Sequence, residues 1–159
     1  MNDLERLLIE QKCTRLFYEY CNFVDFDEPV RGSGLFTDDG SLVMKFRGKT
    51  LRGRKEFERL YQGQQEAQTA GRLLQRHVIS NLIIDVKDAD HASGQARVTL
   101  YRGEWDSKQG PCPKVSPVLF MWNDDFVRTP EGWRIHRHEV SGFDFEAPEA
   151  RWPDPPWAR

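Results

Sequence analysis

Asp25 closes a long amphipathic pattern, and His77 opens an apolar strand in Arg76-His77-Val78-Ile79-Ser80-Asn81. A histidine and a carboxylate are the commonest parts of a general acid/base device, because the carboxylate fixes the imidazole tautomer and stabilises its cationic form. A pair of this kind serves proton transfer, and where a carbonyl takes part its oxygen needs a hydrogen-bond donor. Neutral His77 is the candidate base, Asp25 its orienting partner, and Tyr20 or Tyr101 the candidate donor.

Other residues invite weaker readings. In His136-Arg137-His138-Glu139, strand alternation puts His136 and His138 on one face and Trp133, Ile135 and Arg137 on the other. Two histidines at that spacing can bind a metal, but polar residues alternating on a half-exposed strand are the commoner case. Arg137, placed beside Trp133 and Ile135, is a binding candidate, since a buried arginine needs a carboxylate or an anionic ligand. Asp25, Asp27 and Glu28 follow no metal-loop pattern. No metal and no cofactor is therefore expected. Val118, Phe120, Met121 and Trp122 are core or pocket wall, and the sequence does not divide those roles. Arg47, Lys49, Arg52, Arg54 and Lys55 form a basic run that is most simply a solvated rim.

These residues need a scaffold. Asp3 to about Val24 has Leu4, Leu7, Leu8, Leu16, Phe17, Tyr20, Cys21 and Val24 at helical spacing, with Asn2 or Asp3 as the cap. Pro29, Gly32 and Gly34 break the pattern, and a short second helix is expected to reach Leu35-Phe36. Thr37-Asp38-Asp39-Gly40 reads as a turn into a strand, Ser41 to Phe46, and Arg47 to Thr50 as a hairpin connection. Arg54 to about Ala67 is helical, with Phe57, Leu60 and Tyr61 on one side. Four strands follow: His77 to Val86, Ala92 to Trp105, Val118 to Arg128 and Trp133 to Val140. Helices first and strands afterwards predict an α+β domain with a mostly antiparallel sheet.

The 159 residues fit one domain, since a chain of this size buries roughly 70% of its unfolded surface. A net charge of −2 with interspersed signs argues against nucleic-acid or membrane-surface binding driven by bulk electrostatics, and leaves small molecules or protein partners. Cys13, Cys21 and Cys112 are odd in number and form no C-x-x-C motif, and no signal peptide or long apolar span accompanies them. Free thiols in a reducing cytoplasm are expected. Residues 147–159 form a Pro/Trp-rich tail after a domain spanning 1–146.

Taken in order, Leu35-Phe36-Thr37-Asp38-Asp39-Gly40, Leu51-Arg52-Gly53-Arg54, Arg76-His77 with Asn81, and Asp125-Phe126-Val127-Arg128-Thr129 with Gly132-Trp133-Arg134-Ile135 resemble the SnoaL-like branch of the nuclear transport factor two-like superfamily. The resemblance implies a cone-shaped α+β barrel whose curved sheet wraps around helices and leaves an apolar pocket open at one end. Scytalone dehydratase, bile-acid dehydratase, steroid isomerase, polyketide cyclases and the small subunits of ring-hydroxylating dioxygenases share it. It places Asp25 on the pocket aspartate of the dehydratases and His77 on their catalytic histidine. Val24 and Phe46 stand where those enzymes have tyrosines, and Arg102 lies nearest their second histidine. The substrate-contact set expected is Tyr20, Phe46, Asn81, Tyr101, Trp122 and Arg137. A cofactor-free lyase or isomerase acting on a small hydrophobic cyclic or aromatic molecule is the first functional reading. A non-catalytic ligand-binding or oxygenase small-subunit-like scaffold is the second. The resemblance also implies a homodimer or higher homo-oligomer.

Overall fold

The computed structural model describes residues 1–26 and 28–146, so Asp27 and the 147–159 tail lie outside the described residues. The chain runs through α1 (Asp3–Asp25), α2 (Pro29–Gly32), β1 (Phe36–Met44), β2 (Lys49–Arg52), α3 (Arg54–Thr69), β3 (Leu74–Val86), β4 (His91–Gly103), β5 (Ser116–Thr129) and β6 (Gly132–Glu146). The expected α+β class is the observed one: helices pack against a curved six-stranded sheet of order β2-β1-β6-β5-β4-β3. Among the described residues, β1 and β6 pair in parallel and the other four pairings are antiparallel.

Asn2 starts α1 by a capping box, its side chain accepting from the Glu5 backbone while Glu5 accepts from the Asn2 backbone. The stripe that faces the sheet is Ile9, Cys13, Leu16, Phe17, Tyr20, Cys21 and Val24. Leu4, Leu7 and Leu8, expected on that stripe, are half or more exposed. At 3.6 residues per turn they stand about 100–160° around the helix from Ile9, on another face. In α3 the inward residues are Phe57, Tyr61, Gln64, Ala67 and Gln68.

Two strand expectations are corrected. Thr37 to Gly40 is no turn but part of β1, where the β1–β6 register shifts between Phe36 and Ser41. A Cβ on Gly40 would lie 3.1 Å from the Thr37 carbonyl oxygen and 3.2 Å from that of His136, so the crowded bulge suits a glycine. Phe46 lies beyond the strand in a 3-10 turn, Lys45–Arg47.

Bulges also set which face each long strand shows the core. In β3 the register slips between Ser80 and Ile83, and Asn81 sits there with φ 51°, a left-handed conformation that asparagine tolerates better than most residues. Gln75 and Ile79 are more buried than their neighbours before the slip, and Leu82, Ile84 and Val86 after it, so the parity of burial reverses at Asn81. In β6 a second slip falls opposite the Asp125–Phe126 step: Phe126 pairs with Ile135 but Asp125 with Arg137. Buried Trp133 and Ile135 are therefore followed by buried His138, not by Arg137. The aromatic centre of the fold is Phe17, edge-on to Phe126 at 5.6 Å and stacked at 6.3 Å on Trp122.

Candidate functional site

The end of α1 is fixed by satisfying its last carbonyls, which have no intrahelical partners. Phe26 N–H donates to the Asn22 oxygen and Glu28 N–H to that of Phe23. The Val24 oxygen accepts from three side-chain amides, Gln64 (2.9 Å) and Gln68 (2.7 Å) of α3 and Gln75 (3.0 Å) of β3. Arg76 donates to the Asp25 carbonyl at 2.6 Å. Three elements thus meet at the helix terminus, and β3 starts at Leu74, earlier than expected, so that Gln75 reaches it.

That anchoring puts the Asp25 side chain on His77. Asp25 Oδ2 accepts from the His77 backbone N–H at 2.6 Å, and Oδ1 lies 2.6 Å from Nδ1 of the ring. The side chains are 4% and 9% exposed. With Asp25 ionised, Nδ1 carries the proton it donates, which leaves the Nε2 lone pair of a neutral ring available as a base. The negative end of the α1 dipole is adjacent and favours the imidazolium that forms when the ring takes a proton.

A second pair, which sequence reasoning missed, stands behind the same indole. His138 Nδ1 of β6 lies 2.7 Å from Asp124 Oδ1 of β5, and both side chains are 1% exposed. Trp122 contacts both histidines, with centroids 5.3 Å from His77 and 4.7 Å from His138. Burial lifts the Asp124 carboxyl above the ordinary carboxylate range, against the opposing pull of the His138 ring. Tyr61 donates to the Tyr20 hydroxyl at 3.0 Å, and burial pushes both phenols up in pKa, so they act as neutral donors.

Between these groups lies an open cavity of about 130 Å³. Its apolar wall includes Val24, Leu42, Met44, Leu60, Leu100, Phe120 and Val140, and its polar lining includes Tyr20, Tyr61, Gln64, Gln75, His77 and His138. Arg47 and Arg102 also line it. Burial, then the like charge of Arg47, lowers the Arg102 guanidinium to about 10, while Glu104 opposes the shift.

Of the expected site residues, the structure brings His77, Tyr20, Phe46 and Trp122 to this cavity, and Asp25 to it through His77. Three expected contacts point elsewhere. Asn81 is an exposed bulge residue. Tyr101 is 40% exposed on the outer face of β4, whose inward neighbours are Leu100 and Arg102. Arg137 is 38% exposed and paired with Glu139, which also binds Lys45 at 2.7 Å, because the β6 bulge turned it away from the core. The basic run divides likewise: Arg54 holds Asp38 and the Phe36 carbonyl, whereas Arg47 belongs to the cavity. Among the described residues, no group of three or more His, Cys, Asp or Glu side chains is placed to hold a metal ion. No described helix is long and apolar enough to cross a membrane.

Solved structures share the architecture at low identity. Hexachlorocyclohexane dehydrochlorinase LinA-type3 from Novosphingobium barchaimii superposes with a TM-score of 0.74 at 17% identity, over 95% of this chain and 97% of the other. A protein provisionally named scytalone dehydratase from Novosphingobium aromaticivorans gives 0.73 at 16% identity, over 94% and 98%. An NTF2-like protein with a cystatin-like fold from Novosphingobium aromaticivorans gives 0.67 at 23% identity, over 89% and 87%. No curated protein matches the sequence. The SnoaL-like domain model matches residues 5–139, nearly the whole described chain, and the protein belongs to that family.

Proposed function

We propose that the protein is a cofactor-free lyase or isomerase that removes a carbon-bound proton from a small hydrophobic cyclic or aromatic substrate. The observation that carries this is the two-point grip of Asp25 on His77, 2.6 Å to the ring and 2.6 Å to the backbone, beside an apolar cavity. His77 Nε2 takes the proton, and Asp25 holds the tautomer and balances the charge that appears on the ring. The carbonyl or hydroxyl oxygen of the substrate is met by neutral donors of the lining, Tyr20 among them. Solved relatives named as a dehydrochlorinase and as a scytalone dehydratase support a lyase-type use of this scaffold.

The test is hydrogen–deuterium exchange at carbon, followed by NMR in D₂O over a panel of cyclic ketones, hydroxylated aromatics and halogenated cyclohexanes. Wild-type protein is expected to accelerate exchange or elimination for at least one class, and His77→Ala to abolish it in a protein that remains folded by circular dichroism. Equal rates in wild type and His77→Ala leave a pocket that only binds. A homo-oligomer in the cytoplasm belongs to the same proposal, with the exposed Leu4, Leu7 and Leu8 as apolar surface for a second copy to cover. Light scattering reads it: a monomer at micromolar concentration removes that part.

A further inference from the structure

His138 and Asp124 are more deeply buried than the Asp25–His77 pair. Their charge state follows from depth. An uncompensated negative charge this far from water is costly, and burial lifts the Asp124 carboxyl toward its neutral, protonated form. That proton lies between Asp124 Oδ1 and His138 Nδ1, and the ring's own proton sits on Nε2. Asp124 Oδ2 has no hydrogen-bond partner among the described residues, an arrangement that a neutral acid tolerates far better than a carboxylate. His138 Nε2 is therefore a donor, and the indole Nε1 of Trp122 is always one. Neither has a partner among the described residues. Their side chains adjoin at 4.7 Å and both line the cavity.

Buried donors are rarely left unpaired in folded proteins, and two on neighbouring rings of one apolar cavity are the pattern of a site built for an acceptor. We propose that His138, held by Asp124, and Trp122 form a donor subsite for a substrate oxygen, so that the preferred substrate is an oxygenated ring, a cyclic ketone or enone, over a hydrocarbon or halocarbon of the same shape. The chemical role rests on the proton-abstraction reading: His77 packs on the same indole at 5.3 Å, which sets base and oxygen subsite around one cavity. When His77 removes the proton beside the carbonyl, the C–H pair becomes the new C=C bond and the C=O π pair moves onto oxygen. The two N–H donors bear that charge. His77 then returns the proton to the γ-carbon of an enone, and the isomerisation balances without a co-reactant. A pocket built to bond an oxygen discriminates strongly against an analogue lacking it, because its own donors are then stranded.

The test compares cyclohexanone with methylenecyclohexane, which have nearly the same shape. In wild-type protein labelled with ¹⁵N-histidine, cyclohexanone is expected to shift the His138 Nε2–H resonance and methylenecyclohexane to leave it in place. The ketone-to-alkene affinity ratio is expected to fall about ten-fold in His138→Phe and to fall by less in Trp122→Phe. A His138 resonance unmoved by saturating cyclohexanone, no binding of cyclohexanone, or a ratio in folded His138→Phe within about two-fold of wild type overturns the proposal. Should His138→Phe not fold, the wild-type resonance decides alone. A moved resonance together with undiminished exchange in His77→Ala refutes the base and leaves the oxygen subsite standing; the converse refutes the subsite only.

Discussion

Asp25→Asn separates the orienting role of Asp25 from any role in the fold. The amide has one acceptor and one donor end where the carboxylate had two acceptors. If Oδ1 keeps the His77 backbone N–H, now 2.6 Å from Oδ2, then the amide nitrogen faces Nδ1 and must donate to it. That moves the ring proton to Nε2 and removes the basic lone pair from the cavity. The flipped amide would set two N–H groups against each other at the backbone, costing about 1–3 kcal/mol, so the first orientation prevails. Two charge-assisted hydrogen bonds become neutral ones, a loss of about 1–2 kcal/mol in stability. Loss of the general base costs about 10²–10⁴ in rate, or about 3–5 kcal/mol in barrier. Activity should thus collapse while the melting temperature falls by only a few degrees. Nitrogen-15 NMR of the neutral ring should show protonation at Nδ1 in wild type and at Nε2 in Asp25→Asn, an assay that needs no substrate. An unchanged tautomer, or exchange at carbon within about three-fold of wild type, refutes the reasoning.

Other consequences are equally open to measurement. A Cβ at Gly94 would lie 2.7 Å from Phe17 Cε2 and 2.8 Å from Ile84 Cδ1, so Gly94→Ala is expected to cost about 2 kcal/mol, roughly 4–8 °C in Tm by calorimetry. Burial alone would raise the Glu139 carboxyl, but hydrogen bonds from Lys45 and Arg137 outweigh it and hold the group below its ordinary 4.5. The folded state then binds fewer protons than the unfolded one, so this stability is present above that value and is lost as pH falls through the folded pKa. Urea midpoints of Glu139→Gln should fall less steeply than wild type below pH 4.5. Cys13 is buried with its thiol pushed up to about 12, Cys21 is buried with its thiol raised further still, and Cys112 is partly exposed. A thiol reagent should therefore label one cysteine in the native protein and three after denaturation.

How far the sequence carries these conclusions depends on whether a feature is local. Helical spacing defined α1 and α3, alternation defined the four long strands, and Asp25 at a helix end and His77 near the start of a strand were legible from residue types, whereas their meeting was implied only by the family resemblance. What alternation cannot show is a bulge, because one extra residue exchanges the faces of everything beyond it. Asn81 looked like a motif residue reaching a ligand; it is the hinge that keeps Leu82, Ile84 and Val86 inward after His77. The same error, made at His136–Arg137, offered Arg137 as a buried binder and left His138 on the surface. Nothing in Trp133-Arg134-Ile135-His136-Arg137-His138 marks the slip, which shows only in the pairing of β6 with its neighbours.

The consequence for function is specific. A regular β6 would send Arg137, a permanent cation, into the cavity, whose oxygen subsite would then favour substrates already anionic. The bulge substitutes a histidine bonded to Asp124, which in the proposed subsite is a neutral donor that gains strength only as charge develops on the oxygen it holds. Arg47 and Arg102 also line the cavity. On the proposed reading, a neutral ketone with an apolar ring is matched to the indole, the two imidazoles and the aliphatic wall.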